Sequence, residues 1–165
     1  MNATVGIIMG SDSDWGTMQK CVDVLRSFGI PFEAHIMSAH RTPERAATYA
    51  SEAEGRGIKV LICAAGMAAH LAGVIAGHTI LPVLGVPMKG GAMDGLDALL
   101  ATVQMPGGIP VATLALGNAG ATNAGVLAAQ ILALNDASLR EKLHAYKVEM
   151  ERKVMRADEK LQGEL

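Results

Sequence analysis

The sequence predicts an α/β protein, with a five-stranded parallel sheet and helices on both faces. Three observations carry this. Five short apolar runs recur along the chain, segments of helical periodicity separate them, and no internal repeat or long linker divides the 165 residues. Strands alternating with helices imply β-α-β units with right-handed crossovers. The expectation is one α/β domain spanning residues 1–165.

The elements follow in order. Thr4 to Met9 is an apolar run closed by Gly10 and reads as a buried strand. From Asp14 the apolar positions Trp15, Met18, Val22, Leu25 and Phe28 fall at helical spacing, with Gly29 as a C-terminal stop. Pro31 opens a second strand, Phe32 to Met37. Thr42-Pro43-Glu44 has the form of a helix start, a capping hydroxyl followed by proline at the first position. That helix is predicted to reach about Arg56, before Gly57. Lys59 to Cys63 is the third strand and Ala68 to Gly77 a short helix. Leu81 to Val86, Leu96 to Val103 and Val111 to Leu116 read as strand, helix and strand. Ala119 to Leu134 is a small-residue helix suited to close packing.

A long C-terminal helix is predicted over 136–162, where Ser138-Leu-Arg-Glu141 has the form of a capping box. Leu139, Leu143, Tyr146, Met150, Val154 and Leu161 form one apolar stripe among charged residues. From Ser138 to Leu161 such a helix is about 36 Å long, more than a small domain needs to cover its own core. It reads either as an ordinary amphipathic surface helix or as an arm packing on a neighbouring subunit.

Composition excludes several classes of function. Half the residues are apolar and 18% charged, which is unlike a disordered chain. A formal net charge of -2 and five aromatics (Trp15, Phe28, Phe32, Tyr49, Tyr146) argue against a nucleic-acid binder. Cys21 and Cys63 lie in apolar runs and read as buried thiols rather than a disulfide framework. With no apolar stretch of about 18 residues and no signal-peptide pattern, the expectation is a soluble cytoplasmic protein that does not engage a membrane. No spacing of His, Cys, Asp or Glu suggests a metal site, and no cofactor fingerprint is present.

The charges are unevenly spread. Between Val60 and Leu134 only Lys89, Asp94 and Asp97 carry formal charge, whereas 14 charged residues lie between Asn135 and Leu165. A lone globule of this mass must wet roughly 7,700 Å² of surface. The charge-poor middle is therefore expected to be partly buried against other copies of the chain.

In an open parallel sheet, ligands bind beyond the carboxyl ends of the strands, near the reversal of strand order. After the first strand comes Gly10-Ser11-Asp12-Ser13-Asp14-Trp15. Its hydroxyls and free helix amides suit a phosphate. Asp14 would repel a phosphate and better suits sugar hydroxyls. The alternative is plain N-capping by Ser13 with Asp14 in the first turn. After the second strand, Ser38-Ala39-His40-Arg41-Thr42-Pro43 offers a guanidinium for bidentate phosphate binding and an imidazole able to act as acid or base. It also reads as a capped loop with a solvent histidine. After the third, Ala64-Ala65-Gly66-Met67-Ala68-Ala69-His70-Leu71 would let a ligand approach the backbone, and His70 reads locally as a structural histidine in an apolar helix.

Together these loops carry a resemblance. Met9-Gly-Ser-Asp-Ser-Asp-Trp15, Ser38-Ala-His-Arg-Thr-Pro43, Ala68-Ala-His-Leu71, Leu84-Gly-Val-Pro87, Val103-Gln-Met-Pro-Gly-Gly-Ile-Pro110 and Asn118-Ala-Gly-Ala-Thr-Asn-Ala124 run in order across almost the whole chain. The chain resembles the class I N5-carboxyaminoimidazole ribonucleotide mutases of bacterial purine biosynthesis. It departs from them where Ala65 and Met67 stand in place of glycines, Ala72 in place of proline and Lys89-Gly90 in place of Gln-Ser.

The resemblance implies a flavodoxin-like three-layer α/β/α sandwich. It also implies a homo-octamer with active sites where subunits meet, and an isomerisation that needs no cofactor or metal. His40 would be the proton shuttle. Ser11, Asp14 and Arg41 would bind the ribonucleotide, with Ser13, Ser38 and Ala39 close by. Arg41 would hold the phosphate and Asp14 the ribose. The loop from Ala65 to His70, with Gly66, would close over the base and retain carbon dioxide. Two other readings stay open at this stage: a carboxylase using free carbon dioxide, and a nucleotide-binding module without chemistry.

Overall fold

Val5-Gly-Ile-Ile-Met9 forms the central strand β1 (Val5–Met9) of the computed structural model, which describes residues 2–165. All five residues of β1 are buried, as suits a parallel strand covered on both faces. It pairs in parallel with β2 (Phe32–Ile36) on one side and β3 (Val60–Ala65) on the other, in a register that places Met9 opposite both Ile36 and Ala64. β4 (Val83–Pro87) and the two-residue β5 (Ala112–Thr113) extend the sheet in parallel beyond β3. The order β2-β1-β3-β4-β5 is that of the flavodoxin-like doubly wound folds.

Helices cover both faces. On one side α1 (Trp15–Phe28) buries Met18, Cys21, Val22, Leu25 and Phe28, and Gly29 ends it at φ 72°. Against it lies α5 (Gly117–Ala133), where a Cβ on Gly125 would stand 2.9 Å from the Cβ of Val24. The opposite face carries α2 (Pro43–Ala53) and α3 (Leu71–Ala76) over a cluster that includes Ile8, Leu61, Cys63, Tyr49 and Ile75. α4 (Leu96–Val103) reaches this face through Thr102, which fills the space that Gly85 leaves. Cys21 and Cys63 are free and buried as expected, and burial pushes the Cys21 thiol up to about 12.

Several boundaries differ from expectation for local reasons. The third helix starts at Leu71 rather than Ala68, because Met67 (φ 57°) and Ala69 (φ 44°) sit in the left-handed region. The second helix ends at Ala53 rather than near Arg56, and the chain turns through Gly57 at φ 95°. Thr42 does not cap α2, because its hydroxyl accepts from the Ser38 amide at 2.9 Å and donates to the Ser38 carbonyl at 3.1 Å. The fifth strand shrinks to two paired residues at the sheet edge.

The chain divides into two compact units, one ending at Ala128 and one running from Ala129 to Leu165. In the second, α6 (Ala137–Gln162) is capped by Asp136 and not by Ser138: the Asp136 carboxylate accepts from the Leu139 amide at 3.0 Å. Arg140 donates to the carbonyls of Ala133 and Leu134 at 3.1 and 3.4 Å. Leu139 is buried and Leu143 and Tyr146 are half-buried, but Met150, Val154 and Leu161 of the same stripe are exposed. In the first unit, Leu96, Leu100 and Val103 form a second exposed apolar row along α4, with exposed Met93 just before it. No helix among the described residues is long and apolar enough to cross a membrane.

Gly95 tests the packing at the carboxyl edge of the sheet. It sits at φ +91°, and a Cβ there would lie 2.9 Å from the Met88 carbonyl oxygen and 3.1 Å from the Lys89 Cα. Gly95→Ala combines left-handed strain with contact against fixed backbone. It is expected to cost about 2–4 kcal/mol, read as a lower midpoint in urea unfolding. An unchanged midpoint would contradict this packing.

Candidate active site

Because every strand points the same way, the loops after β1, β2, β3 and β4 leave the sheet at one edge, where they enclose a cavity of about 680 Å³. All nine residues expected at a site line it: Ser11, Ser13, Asp14, Ser38, Ala39, His40, Arg41, Gly66 and His70. The fourth wall, Met88 to Gly91, was not among them. Its available signal was Lys89, the single cation in a long uncharged stretch, followed by two glycines.

The first loop is built on a 3-10 turn, Asp12–Asp14, which begins before α1 and moves the cap back from Ser13 to Ser11. The Ser11 hydroxyl accepts from the Ser13 amide at 3.4 Å, and the Asp14 carboxylate accepts from the Ser11 amide at 3.3 Å. The Ser13 hydroxyl donates to that of Ser11 at 3.0 Å, placing two hydroxyls side by side on the wall. Asp14 is only 8% exposed, and its burial raises the carboxyl pKa above the ordinary 3.8 against the opposing effect of the Ser11 amide. A buried carboxylate with one long hydrogen bond is well suited to accept further hydrogen bonds from a ligand's hydroxyl groups.

In the second loop the Ser38 hydroxyl accepts from the amides of His40 at 3.3 Å and Arg41 at 3.1 Å. Ser38 therefore shapes the turn that presents these two side chains. Arg41 donates from Nη2 to the Gly10 carbonyl at 2.9 Å, which ties the second loop to the first and leaves its other N–H groups for a ligand.

The third loop departs from its local reading. His70 is exposed at the residue before α3, and its Nδ1 lies 2.7 Å from Nε2 of His40. The rings meet edge to face with centroids 4.9 Å apart. At that distance one nitrogen carries the proton of a hydrogen bond and the other accepts it. The left-handed turns at Met67 and Ala69 deliver His70 to this position. Strain of this kind is commonly stored at ligand sites.

Asp14 also yields a pH dependence with a definite sign. Its native pKa is raised, so the folded state binds the proton more tightly than the unfolded state. The carboxylate then lowers stability progressively as pH rises through and above the ordinary Asp range. Asp14→Asn keeps an acceptor for the Ser11 amide and removes the charge. Its melting temperature relative to the parent should rise between pH 3 and neutrality, as estimated from that range. A constant difference in differential scanning calorimetry would show that Asp14 is not destabilised by burial.

Comparison with known proteins shows the family. The family model described as AIR carboxylase matches residues 4–153. A Vibrio parahaemolyticus protein named N5-carboxyaminoimidazole ribonucleotide mutase is 56% identical over 151 residues, covering 92% of this chain and 94% of that protein. A Bacillus subtilis protein of the same name is 50% identical over 161 residues, covering 98% and 99%. A third of that name, from Pyrococcus horikoshii, is 57% identical over 150 residues, covering 91% and 84%. The crystal structure of Treponema denticola PurE is similar with a TM-score of 0.86 and 31% identity, over 95% of this chain and 97% of that one. Identity of this order holds over nearly the full length of both partners, so the chain belongs to the AIR carboxylase family.

Proposed function

We propose that the chain is an N5-carboxyaminoimidazole ribonucleotide mutase in which His40, paired with His70, shuttles one proton. The observation that carries this reading is the 2.7 Å contact between the two imidazoles, inside the cavity and next to Arg41. Binding alone would not call for two histidines within proton-transfer distance. The names of the relatives at 50–57% identity support the mutase over a carboxylase using free carbon dioxide.

The steps balance without an added reactant. The carbamate N–C bond breaks and its electron pair stays on nitrogen, which takes a proton from His40. Carbon dioxide is held while ring carbon 4, electron-rich through the adjacent amine, attacks it. His40 then recovers the proton from carbon 4, restoring the aromatic ring and its own starting state. Arg41 binds the phosphate, Asp14 the ribose hydroxyls, and Ser11 and Ser13 offer further donors. Ser38 and Ala39 set the turn, while Gly66 to His70 covers the base and confines the carbon dioxide.

The assembly belongs to the same reading: a single α/β domain whose last helix is an intersubunit arm, in a homo-octamer. The exposed apolar rows on α4 and α6 support burial between copies. A cytoplasmic location accompanies it, in keeping with two free, buried thiols.

Four experiments test the reading. His40→Asn should lower mutase turnover at least about 10²-fold while nucleotide binding persists. In parallel, labelled carbamate supplied in a large pool of unlabelled bicarbonate should keep most of its label in the product. Equal rates for parent and variant would remove His40 from the chemistry, and label lost to the pool would favour the carboxylase.

Arg41→Ala should weaken nucleotide binding by roughly 1.5–3 kcal/mol and leave binding of the dephosphorylated nucleoside little changed. Equal losses for both ligands would take Arg41 off the phosphate. For the assembly, the double substitution Leu96→Glu and Leu100→Glu puts charge on the α4 row. Analytical ultracentrifugation should show the parent as an octamer and the variant as smaller species. An active parent monomer would overturn the assembly.

A further inference from the structure

Lys89 is the part of the cavity wall that the shuttle does not use. It is the only Lys or Arg between Val60 and Leu134, and it lines the cavity from the loop after β4. Its backbone is held firmly. The Met88 amide donates to the Ala65 carbonyl at 2.9 Å, and Gly95 backs Lys89 with no room for a side chain. The stem of Lys89 passes over Gly117, its Cγ 3.6 Å from where a Cβ on that glycine would stand. The ammonium has no ion-pair partner among the described residues. Of the acids on the same segment, Asp97 accepts from the Ala98 amide at 2.9 Å, at the start of α4.

The two cations of the cavity stand on opposite flanks. Arg41 is tied to Gly10, on the β2–β1 side. The Lys89 loop packs against the third loop, where a Cβ on Gly91 would meet Met67 Cγ at 3.4 Å and one on Gly66 would meet Met88 Cβ at 3.5 Å. β1 and β3 separate β2 from β4, so three strand spacings put about 14 Å between the roots of the two loops. A ribonucleotide bearing both a phosphate and a carboxyl on its base is negative at both ends. With the phosphate on Arg41, its base points toward the β3–β4 side.

We propose that Lys89 is a specificity-determining residue that binds the carboxyl group on the base, so that the cavity distinguishes carboxylated nucleotides from the decarboxylated one. The inference rests on the nucleotide reading above and extends it to a residue on which this chain departs from the pattern it resembles. An ammonium attracts a carbamate or a ring carboxylate and does little for neutral carbon dioxide. Its contribution is therefore to affinity for substrate and product, while the proton transfers remain with the histidine pair.

Calorimetric titration of the full chain tests this with two probes, 4-carboxy-5-aminoimidazole ribonucleotide and aminoimidazole ribonucleotide, which differ only in the carboxyl. Lys89→Gln should lose about tenfold in affinity for the first and hold its affinity for the second, which also reports that the cavity is intact. Lys89→Arg should recover most of the loss. Equal loss for both probes, or no loss for either, overturns the proposal. The mutase reading fails separately: a parent that binds both probes but does not convert the carbamate overturns the mutase and leaves Lys89 to be judged by its variants. A parent that binds neither probe overturns both.

Discussion

The parallel alignment of β1 between β2 and β3 is the constraint on which the rest of the molecule depends. Met9 is level with Ile36 on one side and Ala64 on the other. The residues that follow each of the three strands therefore leave the sheet at one height. β2 and β3 lie on opposite sides of β1, so the two crossovers diverge and open a crevice above it. His40 and His70 are 30 residues apart in sequence, yet this arrangement brings their ring nitrogens to 2.7 Å. An antiparallel or reordered sheet would deliver one of them to the far edge.

The cavity wall holds features that the core excludes. Beneath it, β1, β3 and β4 are buried along almost their whole length. At the wall, Met67 and Ala69 take left-handed backbone, Asp14 is buried with one long hydrogen bond, and two imidazoles meet within hydrogen-bonding distance at the surface. Left-handed backbone at non-glycine residues and a buried, sparsely bonded carboxylate both cost stability, and they leave an acceptor and an opening at the wall. The rigid sheet sustains the strain because the segments that carry it are short and anchored at both ends: Gly10 to β3 through Ala64, Met88 to Ala65, and Arg41 to Gly10.

Much of the fold was legible because strands buried on both faces must be continuous apolar runs, and the runs at Val5, Val60 and Val83 are unmistakable against their flanks. Helix starts were less so. Capping depends on a phase of one or two residues, and Ser11 and Asp136 took the roles that Ser13 and Ser138 appeared equally fit to play. Left-handed backbone at a methionine and an alanine has no compositional signal, which is why α3 begins later than its periodicity suggests. The candidate site residues, which line one cavity, were legible as loops with an unusual density of chemical groups. What periodicity could not supply was distance. His70 looked structural from its apolar neighbours, and only its placement across the crevice makes it the partner of His40.

That partnership also bears on the kind of reaction the cavity suits. An isomerisation consumes no proton overall, and its two proton transfers run in opposite directions. A catalyst for it must give one proton to nitrogen and take another from ring carbon 4, ending in the state in which it began. The bond between the two imidazoles needs one nitrogen to carry the proton and the other to accept it, so each ring orients the other. Without His70, the orientation of the His40 ring would rest on its own loop alone. The left-handed residues Met67 and Ala69 lie just before His70, so backbone strain accompanies its placement against His40.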